Sequence, residues 1–538
     1  MRPFSTLLSL LVWVAPIYGH AQPLLRVRAR AVPPGHGPPD PKDPDAARIA
    51  RLQESLQGLL HQRPLAYARV GVEVVSAERG QLLFAHNAEK MFDPASNEKI
   101  LTTATALAKL GPEYRYRTVL FGPAPDEEGT IGGDVYLRGS GDPSLETQDL
   151  VDLASELVRS GIHRLSGGVV VDGRSFDRRS GAPVDTGDNH DDLGYAAITL
   201  NRNTFKVRVL PGASAGARPE VIVDPPSDYL VVENRATTVA GGRSRIRVET
   251  RALHEATVLQ VSGRIPEGHA PVVVHRRPLH PALFASATLL QILRDVGVEV
   301  AGGAHTGPVP EGETRLAVHE SRPLGVIIRK SNKESNNFVA ERLFQTVGAE
   351  LYGAPATAAK GQKAINEYLA EVGLRPGTFH PENGSGLAHT NRITPDALVR
   401  LLRRLYYDLS VAPDFLQSLA VGGVDGTIRR RFHGTEAAGL VRAKTGTLSG
   451  VSCLSGYVGH KEDVLVFSIL VQGFRQRRLH EVRRAQVGMV TAMLHFLRGT
   501  EDHIPPPLHP GEMDIESTDE TVDTPQDPEA PQAPPAKK

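Results

Sequence analysis

The stretch "FDPASNEKILTTATALAKLG" (residues 92–111) sets Ser96 and Lys99 three positions apart at the mouth of a helical pattern that runs to about Leu110. On a helix, positions i and i+3 project from the same side, so a hydroxyl and an ammonium there can meet. A serine attacks a carbonyl poorly until something removes its proton. A lysine can remove it where burial or a nearby positive charge favours the neutral amine. The helix N-terminus adds a field that favours developing negative charge on the serine oxygen. The plain alternative is a capping serine beside a solvated lysine, and this pair alone does not choose between the two.

Two further clusters bear on the choice. "KSNKESNNFVAERL" (330–343) carries Ser335, Asn336 and Asn337 at the start of a second helical pattern, where Ser and Asn are ordinary caps. Read chemically, Ser335 offers a second hydroxyl to pass a proton towards a leaving amine. Asn337 offers an amide for a substrate carbonyl. "GLVRAKTGTLSGVSCLSGYV" (439–458) holds Lys444, Thr445, Gly446 and Thr447 where a strand begins. A cation followed by hydroxyls on an edge strand can hold a carboxylate, and a glycine lets a peptide backbone lie close. Backbone N–H groups at this edge and at Ser96 can form an oxyanion hole. S-x-x-K, then a Ser-x-Asn turn, then K-T-G is the combined signature of penicillin-binding proteins and class A β-lactamases, and the three occur here in that order.

The surrounding chain agrees with an exported globular protein. Its 538 residues balance 61 basic against 61 acidic side chains, which argues against a nucleic-acid partner. The start, "MRPFSTLLSLLVWVAPIYGHAQP", reads as a secretory signal over residues 1–21, cut after Ala21, and no later run suits a membrane span. Cys453 is the single cysteine, so no disulfide forms within the chain, and its apolar setting suits a small buried hydrophobe. None of the 20 histidines lies in an H-E-x-x-H, which excludes the commonest metallopeptidase signature.

Residues 22–45 are a proline-rich linker, and 500–538 a Pro- and acid-rich tail expected to be disordered. Between them, residues 46–113 give a helix (Ile49, Leu52, Leu56, Leu59 and Leu60 on one face), a hairpin pattern through Val70–Phe84 and the quoted helix. Residues 114–275 are β-rich, with a nested piece at about 184–265. Helical patterns return over 276–499, which ends in two strands and a helix. Both ends of the chain are thus expected to build one sheet-and-helix domain that the β-rich material interrupts.

On these residues the chain resembles the penicillin-recognising serine D,D-peptidases. More narrowly it resembles the class C low-molecular-mass penicillin-binding branch, the D-alanyl-D-alanine carboxypeptidase/endopeptidases. The likeness spans about residues 46–499. It rests on "PASNEKILTTATALAKLG", "GSGDPSL" (139–145), "LNRNTFKVRV" (200–209), "ENGSGLAHTNRITP" (382–395), "VGGVDGTIRRRF" (421–432) and "KTGTLSGV" (444–451). The long step from Lys99 to Ser335 fits a branch with β domains inserted between its first and second motifs.

The resemblance implies an α+β fold: a transpeptidase-like domain of helices around an antiparallel sheet, interrupted by β-rich inserted domains. It implies that Ser96 is the acylated nucleophile and Lys99 its base, with Ser335 and Asn337 as the second motif. Lys444 would tune the site and, with Thr445 and Gly446, bind substrate, while Thr447 and Ser449 would hold a terminal carboxylate. The implied partners are peptidoglycan stem peptides and cross-links, with β-lactams as covalent inhibitors. No metal or organic cofactor is implied. The signal-like start reads as export, to the periplasm first, with a secreted or cell-wall location left open. Departures from the family pattern fall at Asn336 and Asn383, where Asp is usual, and at Ala388-His389, where Ser-Arg is usual. Two other readings stay open: a β-lactamase-like hydrolase, for which Glu382 is the nearest candidate acid, and a wall-binding protein that has lost catalysis.

Overall fold

The computed structural model describes residues 43–63, 65–177, 196–254 and 256–500. The expected signal, nearly all of the proline-rich linker and the acidic tail lie outside the described residues.

Six antiparallel strands form the central sheet: β1 (Arg69–Ser76), β2 (Leu82–His86), β3 (Ala420–Val421), β4 (Val441–Leu448), β5 (Val451–His460) and β6 (Asp463–Gln472). Their spatial order is β2-β1-β6-β5-β4-β3, so the chain's last strands complete a sheet that its first hairpin begins. Strands covered on both faces need apolar residues on both, and β6 reads that way. Its Leu465, Phe467, Ile469 and Val471 enter the core under α1 (Ala46–His61) and the C-terminal helix Leu479–Arg498. Val466 and Leu470 point the other way, into a helical layer.

That layer holds α2 (Glu98–Leu110), α3 (Leu324–Lys333), α4 (Asn337–Tyr352), α5 (Ala358–Glu371), α6 (Pro395–Tyr407) and α7 (Ala412–Ser418). The Leu479–Arg498 helix is α8. Almost every α2 residue is buried, because it runs through the middle of this layer. The apolar run "ILTTATAL" suits that place, since threonine hydroxyls at 103 and 105 bond back to the carbonyls of Lys99 and Leu101 and need no outside partner.

The inserted material has its own core. A five-stranded sheet orders Ala304–Thr306, Val169–Asp172, Val135–Gly139, Arg117–Gly122 and Thr314–Glu320, with the helix Pro281–Asp295 against it. Two smaller sheets are built from strands between Phe205 and Arg276. The expected end of the insert at 275 is too early. Pro281–Asp295 buries Phe284, Leu289 and Leu293 in the insert's core, and Thr314–Glu320 pairs with Arg117–Gly122, so the inserted sheet closes at Glu320. Helical periodicity marks the element correctly but carries no information about which core receives it.

Glu73, in the middle of β1, points its carboxyl into the helical layer beside Asp396 and is 2% exposed. Burial, and then the Asp396 carboxylate, push its pKa up to about 8 from an ordinary 4.5. Above 4.5 an unfolded chain ionises this group freely, while the folded one must keep its proton or bury a charge. Stability is therefore lost as pH rises from 4.5 to about 8. Replacing Glu73 with Gln should remove that loss. The urea midpoint of the variant should gain on the wild type between about pH 5 and about pH 8.5 and level off above. Parallel pH profiles would contradict it.

Candidate active site

The nucleophile candidate lies just outside the expected helix. Ala95–Asn97 is a short 3₁₀ turn, and the α-helix begins at Glu98. Ser96 is half-buried, whereas Lys99 is fully buried one turn below. Lys99 Nζ lies 3.0 Å from Ser96 Oγ, 2.7 Å from Asn337 Oδ1 and 2.8 Å from the Ser385 carbonyl oxygen. Two segments more than two hundred residues further along the chain thus meet the first at one amine.

The second motif is held by a cap that belongs to its middle residue. Asn336 accepts the Val339 N–H at 2.9 Å and starts α4, which leaves Ser335 and Asn337 on either side of it for the cleft. The departure at Asn336 is therefore neutral, since Asn and Asp cap alike. Lys444 Nζ donates to Ser335 Oγ at 2.8 Å and to its neighbour's carbonyl, Thr445 O, at 2.9 Å. Thr445 Oγ1 donates to Thr427 Oγ1 at 2.8 Å, so the "VGGVDGTIRRRF" stretch supports this strand. Asn97 ties the first and third motifs together: its amide accepts from Ser455 Oγ at 2.7 Å and donates to the carbonyls of Lys444 at 2.9 Å and Thr445 at 3.2 Å.

Lys444–Thr447 lies inside β4 rather than at its start. The short β3 pairs only with Arg442 and Ala443, so the outer edge of β4 beyond them has no strand beside it among the described residues. Gly446 answers to a different neighbour from the one the sequence suggested. A Cβ there would sit 2.6 Å from Pro94 O and 3.1 Å from Ala95 Cβ, so glycine makes room for the nucleophile turn. Thr447 Oγ1 accepts from Arg483 at 3.2 Å, while Ser449 is exposed in the β4–β5 turn, on a cavity of about 550 Å³ shared with Asp93 and His389.

The turn before Ser96 is forced. Ala95 has φ +44° and Ser335 has φ +59°, a region non-glycine residues rarely occupy and which costs on the order of 1–3 kcal/mol each. Asp93 Oδ1 accepts the Ala95 N–H at 2.9 Å, and His389 Nδ1 lies 2.9 Å from Asp93 Oδ2, so the unusual His389 braces the unusual conformation. Cys453 is buried against this turn, its Sγ 3.5 Å from Asp93 O, and burial pushes its thiol pKa well up, away from thiolate chemistry.

The stretch 382–395 carries part of the resemblance, but sequence reasoning missed what its loop Asn383–Gly386 does at the site. Glu341, one turn along α4 from Asn337, accepts the backbone N–H groups of Ser385 at 2.9 Å and Gly384 at 3.3 Å, which presents the Ser385 carbonyl to Lys99. A carboxylate four residues after Asn337 in a buried helix was the available signal. Asn383 Oδ1 accepts from Gly386 N at 3.0 Å and Asn391 Nδ2 at 2.9 Å, an acceptor role that an Asp would fill equally. Glu98 is fully buried beside this loop, and burial first, then the Glu341 carboxyl, push its pKa well up. Glu382 is exposed and lies 3.4 Å from His380.

Gly386 has φ +84°, and a Cβ on it would fall 1.9 Å from the Ala95 carbonyl oxygen. Gly386→Ala must therefore displace the nucleophile turn. Covalent labelling by a penicillin should slow by about 100-fold, the usual cost of misplacing a reacting group by roughly 1 Å. Stopped-flow labelling measures it, and an unchanged rate would contradict the packing described.

Comparison with known proteins gives the family. The sequence profile of the D-Ala-D-Ala carboxypeptidase 3 (S13) family matches residues 52–493. A D-alanyl-D-alanine carboxypeptidase of Actinomadura sp. (strain R39) is 34% identical over 451 residues, covering 80% of this chain and 82% of that one. The D-alanyl-D-alanine carboxypeptidase DacB of Haemophilus influenzae is 24% identical over 426 residues, 76% of this chain and 86% of that one. The crystal structure of Haemophilus influenzae penicillin binding protein 4 superposes with a TM-score of 0.67 at 23% identity, covering 82% of this chain and 99% of that one. The same protein complexed with a β-lactam gives 0.64 at 23% identity, with 84% and 99% covered. With the family profile matched over residues 52–493 and a relative 34% identical over 80% of its length, this chain belongs to the D-Ala-D-Ala carboxypeptidase 3 (S13) family.

Proposed function

We propose that this serine-type D-Ala-D-Ala carboxypeptidase works by double displacement through an acyl ester on Ser96. The observation that carries the reading is the set of three oxygens around Lys99 Nζ: Ser96 Oγ, Asn337 Oδ1 and Ser385 O. A neutral amine has two N–H donors and one lone pair. Asn337 and Ser385 are acceptors that take the two donors, which turns the lone pair towards the Ser96 hydroxyl.

In the first half-reaction the Ser96 proton passes to Lys99 as Oγ bonds to the carbonyl carbon of the penultimate D-Ala. The oxyanion is received by the backbone N–H groups of Ser96 and of the β4 edge. Collapse breaks the C–N bond, and Ser335, in contact with Lys444, gives its proton to the departing amine and recovers the one that Lys99 took from Ser96, which leaves Lys99 neutral again. Water then attacks the ester by the reverse route, regenerating the Ser96 hydroxyl and releasing the shortened peptide. Asn337, whose oxygen engages Lys99, has its NH₂ to donate to a substrate carbonyl. The substrate backbone lies along the open edge of β4, with Thr445 and Thr447 towards its terminal carboxylate. Ser449 borders the same end of the strand.

The natural substrates on this reading are peptidoglycan stem peptides ending in D-Ala-D-Ala, and cross-links whose scissile bond presents the same acyl-D-Ala. Penicillins mimic that bond and acylate Ser96. A periplasmic location follows from the signal-like N-terminus. Among the described residues no helix is long and apolar enough to cross a membrane.

Release of D-alanine from a pentapeptide ending in D-Ala-D-Ala tests the scheme. The wild type should turn the peptide over, and Ser96→Ala should reduce the rate by at least about 1,000-fold, as loss of a nucleophile does. Turnover by Ser96→Ala within about 10-fold of wild type would overturn the assignment.

A further inference from the structure

We propose that the inserted β-rich material carries a binding site for a linear phosphodiester polymer of the cell envelope, built by Arg245, Arg247 and Arg264. The strand Arg245–Leu253 pairs antiparallel with one side of the strand Ala256–Pro266. The strands Leu230–Asn234 and Thr237–Val239 pair with the other side. Ile246 and Val248 turn towards the insert's core. The alternate positions Arg245, Arg247, Glu249, Arg251 and Leu253 therefore share the outer face, and all are exposed.

Charge is unevenly spread over that face. At one end Glu233 accepts from Arg251 at 3.3 Å, from Arg235 at 3.5 Å and from Gln260 at 3.1 Å, so cations and carboxylate are matched there. At the other end Arg245 stands directly opposite Arg264 on the neighbouring strand, with Arg247 two positions along. Directly opposed like charges destabilise a sheet. Among the described residues no carboxylate forms an ion pair with Arg245, Arg247 or Arg264. The backbone is nevertheless shaped to keep the two strands close at this point. Gly263, beside Arg264, has φ +105°, and a Cβ on it would fall 1.9 Å from the Arg245 carbonyl oxygen, so only glycine fits. Guarding an open sheet edge calls for charge on the edge strand, but not for a second cation facing it from the inner strand. An anion from outside the fold offsets the repulsion.

The layout of the face selects the kind of anion. Successive outward positions on a strand are about 7 Å apart and opposed ones about 5 Å, so the three guanidiniums spread over a stretch that a chain charged at every repeat can follow. The guanidinium fork matches phosphate oxygens. A flat anionic membrane would meet the whole face at once, including the carboxylates of Glu233 and Glu249, whereas a single chain can cross the arginine end alone. None of these residues belongs to the three motifs. The contact holds the enzyme beside the polymer and leaves the chemistry of the cleft unchanged.

Fluorescence anisotropy of a labelled synthetic poly(glycerol phosphate), titrated with the protein, tests the site. The wild type should bind, and raising the salt from about 50 to about 200 mM should weaken binding by on the order of 10-fold or more. The triple variant Arg245→Gln, Arg247→Gln, Arg264→Gln should bind about 10- to 100-fold more weakly, as three exposed charge contacts of roughly 2- to 5-fold each combine. Its urea midpoint should equal or exceed that of the wild type, because the opposed charges are gone. Its release of D-alanine from a soluble pentapeptide should be unchanged. No binding by the wild type, or equal binding by the variant, would overturn the proposal. A lower urea midpoint would also overturn it, by assigning the arginines to the fold. Equally tight binding of polyglutamate would rule out a phosphate site, and equally tight binding of phosphatidylglycerol vesicles would put a membrane in the polymer's place.

Discussion

The contact on which the rest depends is the one between Lys99 Nζ and Ser96 Oγ, at 3.0 Å. A serine and a lysine one turn apart are common; what distinguishes this pair is that the amine has two further acceptors, Asn337 Oδ1 and Ser385 O, from two other parts of the chain. On the proposed mechanism those acceptors take the two hydrogens of a neutral amine and leave its lone pair towards Ser96. Much of the surrounding architecture keeps this arrangement in place. Gly446 on one side and Gly386 on the other both lack the side chain that would push the Pro94–Ala95 turn away, and Asp93 holds the Ala95 N–H from below.

Such a site runs against stability. Two lysines, Lys99 and Lys444, and the carboxyls of Glu98 and Glu341 are buried at 1% exposure or less, and Ala95 and Ser335 sit at positive φ. Buried ionisable groups and strained backbone persist only where the neighbourhood over-determines them. Here that neighbourhood is a sheet covered on both faces, with one apolar core under α1 and α8 and another among α2–α7. Local rules of propensity and charge fail together at one place, which is the pattern expected of a functional centre rather than of poor packing.

How much was legible in the sequence follows from the range of each signal. The front hairpin, α2, the closing strands and α8 each announce themselves by periodicity within a few residues. The three motifs were legible because their side chains carry the chemistry. The Ser385 carbonyl was not, since a backbone group has no residue-type signature and its aim is set by Glu341, a residue over forty positions earlier. A glycine at 446 suggests a peptide lying close, and the close neighbour is the chain's own Pro94. The end of the insert was misplaced because it depends on Thr314–Glu320 pairing back to Arg117–Gly122, a non-local contact that no window of sequence contains.

Which oxygen becomes acylated decides between this mechanism and any other. Incubating the protein with a penicillin, digesting it and mapping the adduct by mass spectrometry measures that directly. One adduct per chain, on the peptide that carries Ser96, is the predicted result. An adduct on Ser335 or elsewhere, or none under conditions where the protein remains folded, would contradict it.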